Sequence, residues 1–134
     1  MPTPATIPPA VVGELAVGQT RACLSADPAR ALHVTIGKIE SFGSVGPVVS
    51  VTLYNTAPGS PLPGLAHAPI DAKVLVASCP SVERQTLPLS PNFEGGYAEW
   101  RKANGGVFTI SVDQIYDVVL AQVAQARQGG LNVQ

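Results

Sequence analysis

Apolar and polar positions alternate through residues 31–55, ALHVTIGKIESFGSVGPVVSVTLYN, in two runs that flank a glycine-containing connector. A period of two puts Leu32, Val34 and Ile36 on one face of a strand, and Val49, Val51 and Leu53 on one face of the next. The pattern predicts a β-hairpin whose six apolar side chains enter the core. With residues 41–46 as the connector and Glu40 opposite Pro47, Ile36 pairs with Val51 and Val34 with Leu53, so both apolar sets share one side. Pro47 is acceptable there, because the first residue of a strand need not donate to the ladder.

Before the hairpin, Pro2, Pro4, Pro8 and Pro9 oppose both helix and central strand, so residues 1–10 read as an extended or disordered lead-in to a single domain over 11–134. Val11, Val12, Leu15, Val17, Ala22 and Leu24, broken by Gly13 and Gly18, fit one or two short strands with a bend. After it, four prolines and two glycines in residues 56–69 predict a long surface loop. Residues 70–78 fit either a short helix begun by Pro69 or a strand centred on residues 73–76.

Helical spacing takes over near the C-terminus. Ser90 and Pro91 suit a helix start, Phe93, Tyr97 and Trp100 make one aromatic, core-facing stripe, and Gly105 and Gly106 stop the element. Gly95 and Gly96 weaken this helix by about 1 kcal/mol each, which implies that tertiary packing, of which a close backbone approach is one form, holds it in place. Ser111 and Gln114 form a capping box for a final helix with Val112, Ile115, Tyr116, Val119, Leu120 and Val123 inward, Gln122, Gln125 and Gln128 outward, and Gly129 and Gly130 as its stop. The predicted fold class is therefore α+β, with a small antiparallel sheet or half-barrel of three to five strands packed against two C-terminal helices.

Composition changes this picture mainly at the surface. The 134 residues are 46% hydrophobic but only 13% charged, with a net charge of −1. A surface so poor in charge favours association, hence the expectation of a homo-oligomer or a stable protein partner. The eight Lys and Arg residues are scattered, which argues against nucleic acid. No apolar run is long enough for a membrane span, and residues 1–10 do not resemble a signal peptide, so the chain reads as cytoplasmic. In that reducing setting Cys23 and Cys79 are expected to be free, buried thiols.

Chemistry is limited by the two histidines, His33 and His67. His33 lies on the hairpin face opposite the apolar set, with Thr35, Ser50, Thr52 and Tyr54, a patch of donors and acceptors that either meets a ligand or partner or is simply the half-exposed side of the sheet. His67, in the predicted loop, extends that candidate site. Cys79, His67 and Asp71 supply the residue types of a nucleophilic triad, but no nucleophile elbow or familiar flanking sequence accompanies them. The carboxylates show no metal-binding spacing, and the glycines form no phosphate-binding motif, so neither metal nor cofactor is expected. The resulting expectation is a non-catalytic protein acting through a protein interface, as a regulator, an inhibitor or immunity-type antagonist, or an assembly component. The alternative is a small-molecule-binding domain using the polar sheet face and the Pro-rich loop. A small hydrolase with His67 or His33 as general base ranks third.

Overall fold

Two eleven-residue strands, β3 (Leu32–Phe42) and β4 (Val45–Asn55), form the predicted hairpin at the centre of the sheet. The computed structural model describes residues 5–6, 15–42, 45–60 and 62–132. Around the hairpin stand β1 (Ala5–Thr6), β2 (Thr20–Ala22), β5 (Gly64–Asp71) and β6 (Ser81–Val82), in the order β5-β4-β3-β2-β6, with β1 also pairing along β3. Each of these pairings is antiparallel. Three helices complete the fold: α1 (Ala72–Ser78), α2 (Phe93–Lys102) and α3 (Val112–Asn132). The α+β class, the small antiparallel sheet and the packed C-terminal helices are as the residue pattern predicts.

Ile36 opposes Val51 and Val34 opposes Leu53, and all six predicted core residues of the hairpin are buried. Toward the tip the register shifts at Gly37, so Glu40 faces Val48 rather than Pro47. A bulge at a glycine is the expected response where the strand needs room, and here the Phe93 ring lies directly over Gly37. The apolar face packs with Leu75 of α1 and Val112, Ile115 and Tyr116 of α3 into one core. Helix α2 covers the opposite face, so the two C-terminal helices are divided between the sides of the sheet.

Several elements differ from the pattern-based expectation. The loop after the hairpin ends at Pro63, and Gly64–Asp71 is a strand despite Pro69. Pro69 is tolerated because β5 lies at the sheet's edge: its carbonyl and the Asp71 N–H point outward to Phe108, and the proline nitrogen faces the same way, so no bond to β4 is lost. Residues 70–78 divide between strand and helix, with the Asp71 carboxylate accepting from Val74 N to cap α1. Ser90 organises a turn rather than capping α2, accepting from Asn92 N, and the helix begins at Phe93. The left-handed residue beyond its end is Asn104, at φ 50°, one position before the predicted glycines.

The capping box of α3 is present, with Gln114 N donating to Ser111 Oγ and Ser111 N to Gln114 Oε1. Val112, Ile115 and Tyr116 are buried, Val119 and Leu120 pack partly, and the helix continues through Gly129 and Gly130 to Asn132. Glycine lowers helix stability without forbidding the conformation. Toward the N-terminus, Ala5 and Thr6 are extended against Ser41 and Glu40, Gly18 turns the chain at φ 90°, and Thr20–Ala22 is the one strand described in residues 15–24. Val11, Val12 and Gly13, the rest of the lead-in and the Gln128 side chain lie outside the described residues.

Cys23 and Cys79 are joined in a disulfide, not free thiols, and it ties the end of β2 to the C-cap of α1. Their separation of 56 residues carries no local signal of pairing; the β2–β6 ladder brings them together.

Candidate functional site

The residues singled out on the polar side of the hairpin do share one face. His33 opposes Tyr54, Thr35 opposes Thr52, and the bulge brings Ser50 opposite Lys38. His67 joins them from β5, its Nε2 3.0 Å from Ser50 Oγ. This face is not the half-exposed patch expected from alternation, because the irregular segment 83–92 and α2 lie across it. Thr35, Ser50 and Thr52 are buried.

Hydroxyl groups fasten that segment to the sheet. Leu87 N donates to Thr20 Oγ1 (2.9 Å), the Thr20 and Thr35 hydroxyls are 2.8 Å apart, and Thr35 Oγ1 donates to Leu87 O (3.0 Å). The backbone of a single residue thus closes a ring through two threonines on neighbouring strands. Ser90 N donates to Thr52 Oγ1 at 3.1 Å, and Tyr54 OH donates to Pro88 O. At the start of the segment, Glu83 Oε1 lies 3.7 Å from His33 Nδ1, a buried atom with no hydrogen-bond partner among the described residues.

His67 occupies a nest made by α2. The rings of Phe93, Tyr97 and Trp100 have centroids 5.5, 5.7 and 5.5 Å from its own. A Cβ on Gly96 would lie 2.8 Å from His67 Cβ, so of the Gly95-Gly96 pair it is Gly96 that permits a close approach to β5. The aromatic stripe is only partly core: Phe93 is buried, while Tyr97 and Trp100 are half-buried around the imidazole. Tyr97 OH donates to Glu40 (2.8 Å) and accepts from Arg101 (3.0 Å), anchoring the helix to the hairpin tip.

Burial lowers the His67 pKa from 6.5 to about 4, against the opposing pull of Glu94. The ring is therefore neutral at pH 7. Ser50 and His67 have the contact of a nucleophile and its base, but Ser50 is 1% exposed, and substrate has no route to its hydroxyl in this conformation. The Cys79 sulfur is in the disulfide and the Asp71 carboxylate caps α1, so the three residue types of the possible triad serve separate roles. Among the described residues no group of three His, Cys, Asp or Glu side chains could hold a metal ion.

The lowered His67 pKa makes the stability of the fold depend on pH. Between pH 6.5 and about 4 the unfolded chain binds more protons at this residue than the folded one, so its contribution is complete above 6.5 and is lost as pH falls. Discounted for solvent screening of the half-buried ring, the loss is about 2 kcal/mol. Urea midpoints at pH 7.5 and 4 should differ more for the wild type than for His67→Gln. Equal sensitivity in both proteins would refute this role for His67.

Open clefts at the surface include two lined by described residues. One, of about 290 Å³, is lined by Thr52, Tyr54, Pro63, Gly64, Ser90 and Asn92 among others, where the polar face meets the Pro-rich loop. The other, of about 510 Å³, is lined by Leu24, Ser25, Val74, Ala77, Ser78 and Asp113 among others, beside the disulfide. Leu24, Val76 and Val82, each within three residues of a bridged cysteine, are 63%, 38% and 50% exposed. No local pattern distinguishes them from core residues in the sequence, because Val76 and Val82 lie in short elements and Leu24 just beyond one, where exposure depends on tertiary neighbours. No helix among the described residues is long and apolar enough to cross a membrane. No family model matches the chain, and neither a curated protein nor a solved structure matches it at a significant level.

Proposed function

We propose that this chain is a non-catalytic domain that works by protein contact, through the surface at its disulfide end. The observation that carries this reading is the exposure of Leu24, which lines a broad cleft next to Cys23, together with that of Val76 and Val82, each three residues from Cys79, Val82 lying in β6, which ends the described sheet. Exposed apolar side chains beside a cleft are characteristic of interaction surfaces, and a low surface charge does little to oppose association. The disulfide also stiffens this corner, so less conformational freedom is lost on binding. A homo-oligomer and a regulator, inhibitor or assembly component bound to another protein are both forms of this function.

The test is a pair of charge substitutions, Leu24→Glu and Val82→Glu, at exposed positions that should leave folding intact. The wild type is expected to self-associate in sedimentation or to retain a specific partner from its native source, and the double variant to lose that association with an unchanged melting temperature. A wild type that remains monomeric and retains nothing the variant fails to retain would overturn the proposal.

The cleft at Thr52, Tyr54 and Pro63 favours a second reading, a small-molecule site where the polar face meets the Pro-rich loop. A specific ligand at one hundred times its dissociation constant would add about 2.7 kcal/mol of stability. A metabolite thermal-shift screen that Tyr54→Ala abolishes would establish it. As for location, the disulfide supports an oxidising compartment over the reducing cytoplasm expected from the sequence. Alkylation and mass measurement of protein from its native source would decide between them.

A further inference from the structure

The polar sheet face is covered by a piece of its own chain, held through main-chain atoms. We propose that it accepts extended, proline-containing peptides, and that the segment Thr86-Leu87-Pro88-Leu89-Ser90-Pro91 is an internal occupant that a partner's segment of the same kind displaces. This goes beyond the disulfide-end contact and concerns a different surface, so either can fail without the other.

The contacts have the form of peptide recognition. Thr20, Thr35, Thr52 and Tyr54 donate to or accept from the main chain of Leu87, Pro88 and Ser90, not their side chains. Any extended segment with the same spacing of backbone donors and acceptors could satisfy them. Leu87 and Ser90 each precede a proline, which restricts them to extended or polyproline-like conformations before they reach the sheet. The segment therefore loses little conformational freedom on docking, the property that proline-rich recognition exploits. Leu87 and Leu89 are half-buried, with the exposed Pro88 between them, so alternate positions meet the domain as in a bound strand.

The receiving side is preorganised by the fold. Thr35 and Thr52 stand opposite each other at the centre of the hairpin, and Thr20 opposes Thr35 from β2. Thr52 Oγ1 also donates to Ala66 O at 2.9 Å, which leaves it oriented to accept an amide. Displacing the internal segment would leave buried hydroxyls without it, a cost that an incoming backbone of the same form recovers. The fixed ends of the segment, in β6 and α2, make it a competitor of high effective concentration.

The probe is an end-capped peptide of residues 83–92, added to isotope-labelled protein. In a variant with a loosened segment, Leu87→Gly/Pro88→Gly/Leu89→Gly, it is expected to bind and shift the amide signals of Thr20, Thr35 and Thr52. The wild type should bind at least about tenfold more weakly, and adding Thr35→Val to the loosened variant should weaken binding by about tenfold. A folded loosened variant that ignores the peptide, or binds it equally with and without Thr35→Val, would overturn the proposal. If the loosened variant does not fold, amide exchange of the wild type decides. Leu87 and Ser90 amides should exchange by local opening at least about tenfold faster than those of Val34 and Val51. Exchange of all four only through global unfolding would show a permanent strap and would overturn the proposal.

Discussion

Replacing both Cys23 and Cys79 by alanine is expected to lower stability by about 4 kcal/mol. The cross-link spans 56 residues, including the whole central hairpin, so its removal restores much freedom to the unfolded chain. Native packing adds to the effect, since Cys79 is fully buried among Leu75, Val112 and Ile115 in the core, and alanine leaves part of that volume empty. Other contacts hold the same corner: Arg21 Nε donates to Cys79 O at 2.6 Å, and Leu24 N to Ser78 O at 2.8 Å. These should preserve the fold while its midpoint falls. For a chain of this size the loss corresponds to a drop in melting temperature of about 10–20 °C.

Urea unfolding with and without a dithiol reductant measures the contribution of the cross-link alone in the unmutated protein. Reduction of the wild type should cost somewhat less than the double-alanine replacement, because the Cys79 thiol still fills its place in the core, and the variant should be insensitive to reductant. A wild type whose midpoint is unchanged on complete reduction would show that the bridge contributes nothing. Thiol labelling must accompany the measurement, because a buried disulfide that escapes reduction gives the same result.

How much of this was legible in the chain depends on whether the determining contacts are local. The hairpin was legible because Leu32, Val34, Ile36, Val49, Val51 and Leu53 encode their common face in a period of two, and even the central pairs followed from it. The shift at Gly37 was marked by a glycine inside a strand, but its cause, the Phe93 ring, is 56 positions away. Strand β5 was hidden by Pro69 and by the prolines just before it, because the tolerance of Pro69 depends on being at an edge and on which way its nitrogen points. The common face of His33, Thr35, Ser50, Thr52 and Tyr54 could also be read, for the same reason as the core. Its cover could not. Residues 87–90 reach Thr20, Thr35, Thr52 and Tyr54 through main-chain atoms, which every sequence possesses and none advertises.

Phe93→Ala should cost about 3–5 kcal/mol, because a fully buried ring is removed from the junction of α2, His67 and the hairpin bulge. A Cβ on Gly37 would lie 2.3 Å from Phe93 Cζ, and the Gly37 backbone is not left-handed, so space rather than conformation excludes a side chain there. Gly37→Ala alone should therefore cost about 1–3 kcal/mol by overpacking. The double variant is the decisive measurement. With the ring gone, the added methyl enters the vacated volume, and the two costs should fall short of additivity by at least about 1 kcal/mol. Strict additivity would mean that Gly37 is required for another reason, such as the bulge itself. Opening this junction also admits water beside His67, whose pKa should rise from about 4 toward 6.5 in Phe93→Ala, since burial is what lowers it. A titration of the His67 ring by NMR in both proteins links the packing to the electrostatics. If the ring titrates at the same pH after the phenyl group is removed, Phe93 is not what keeps water from His67.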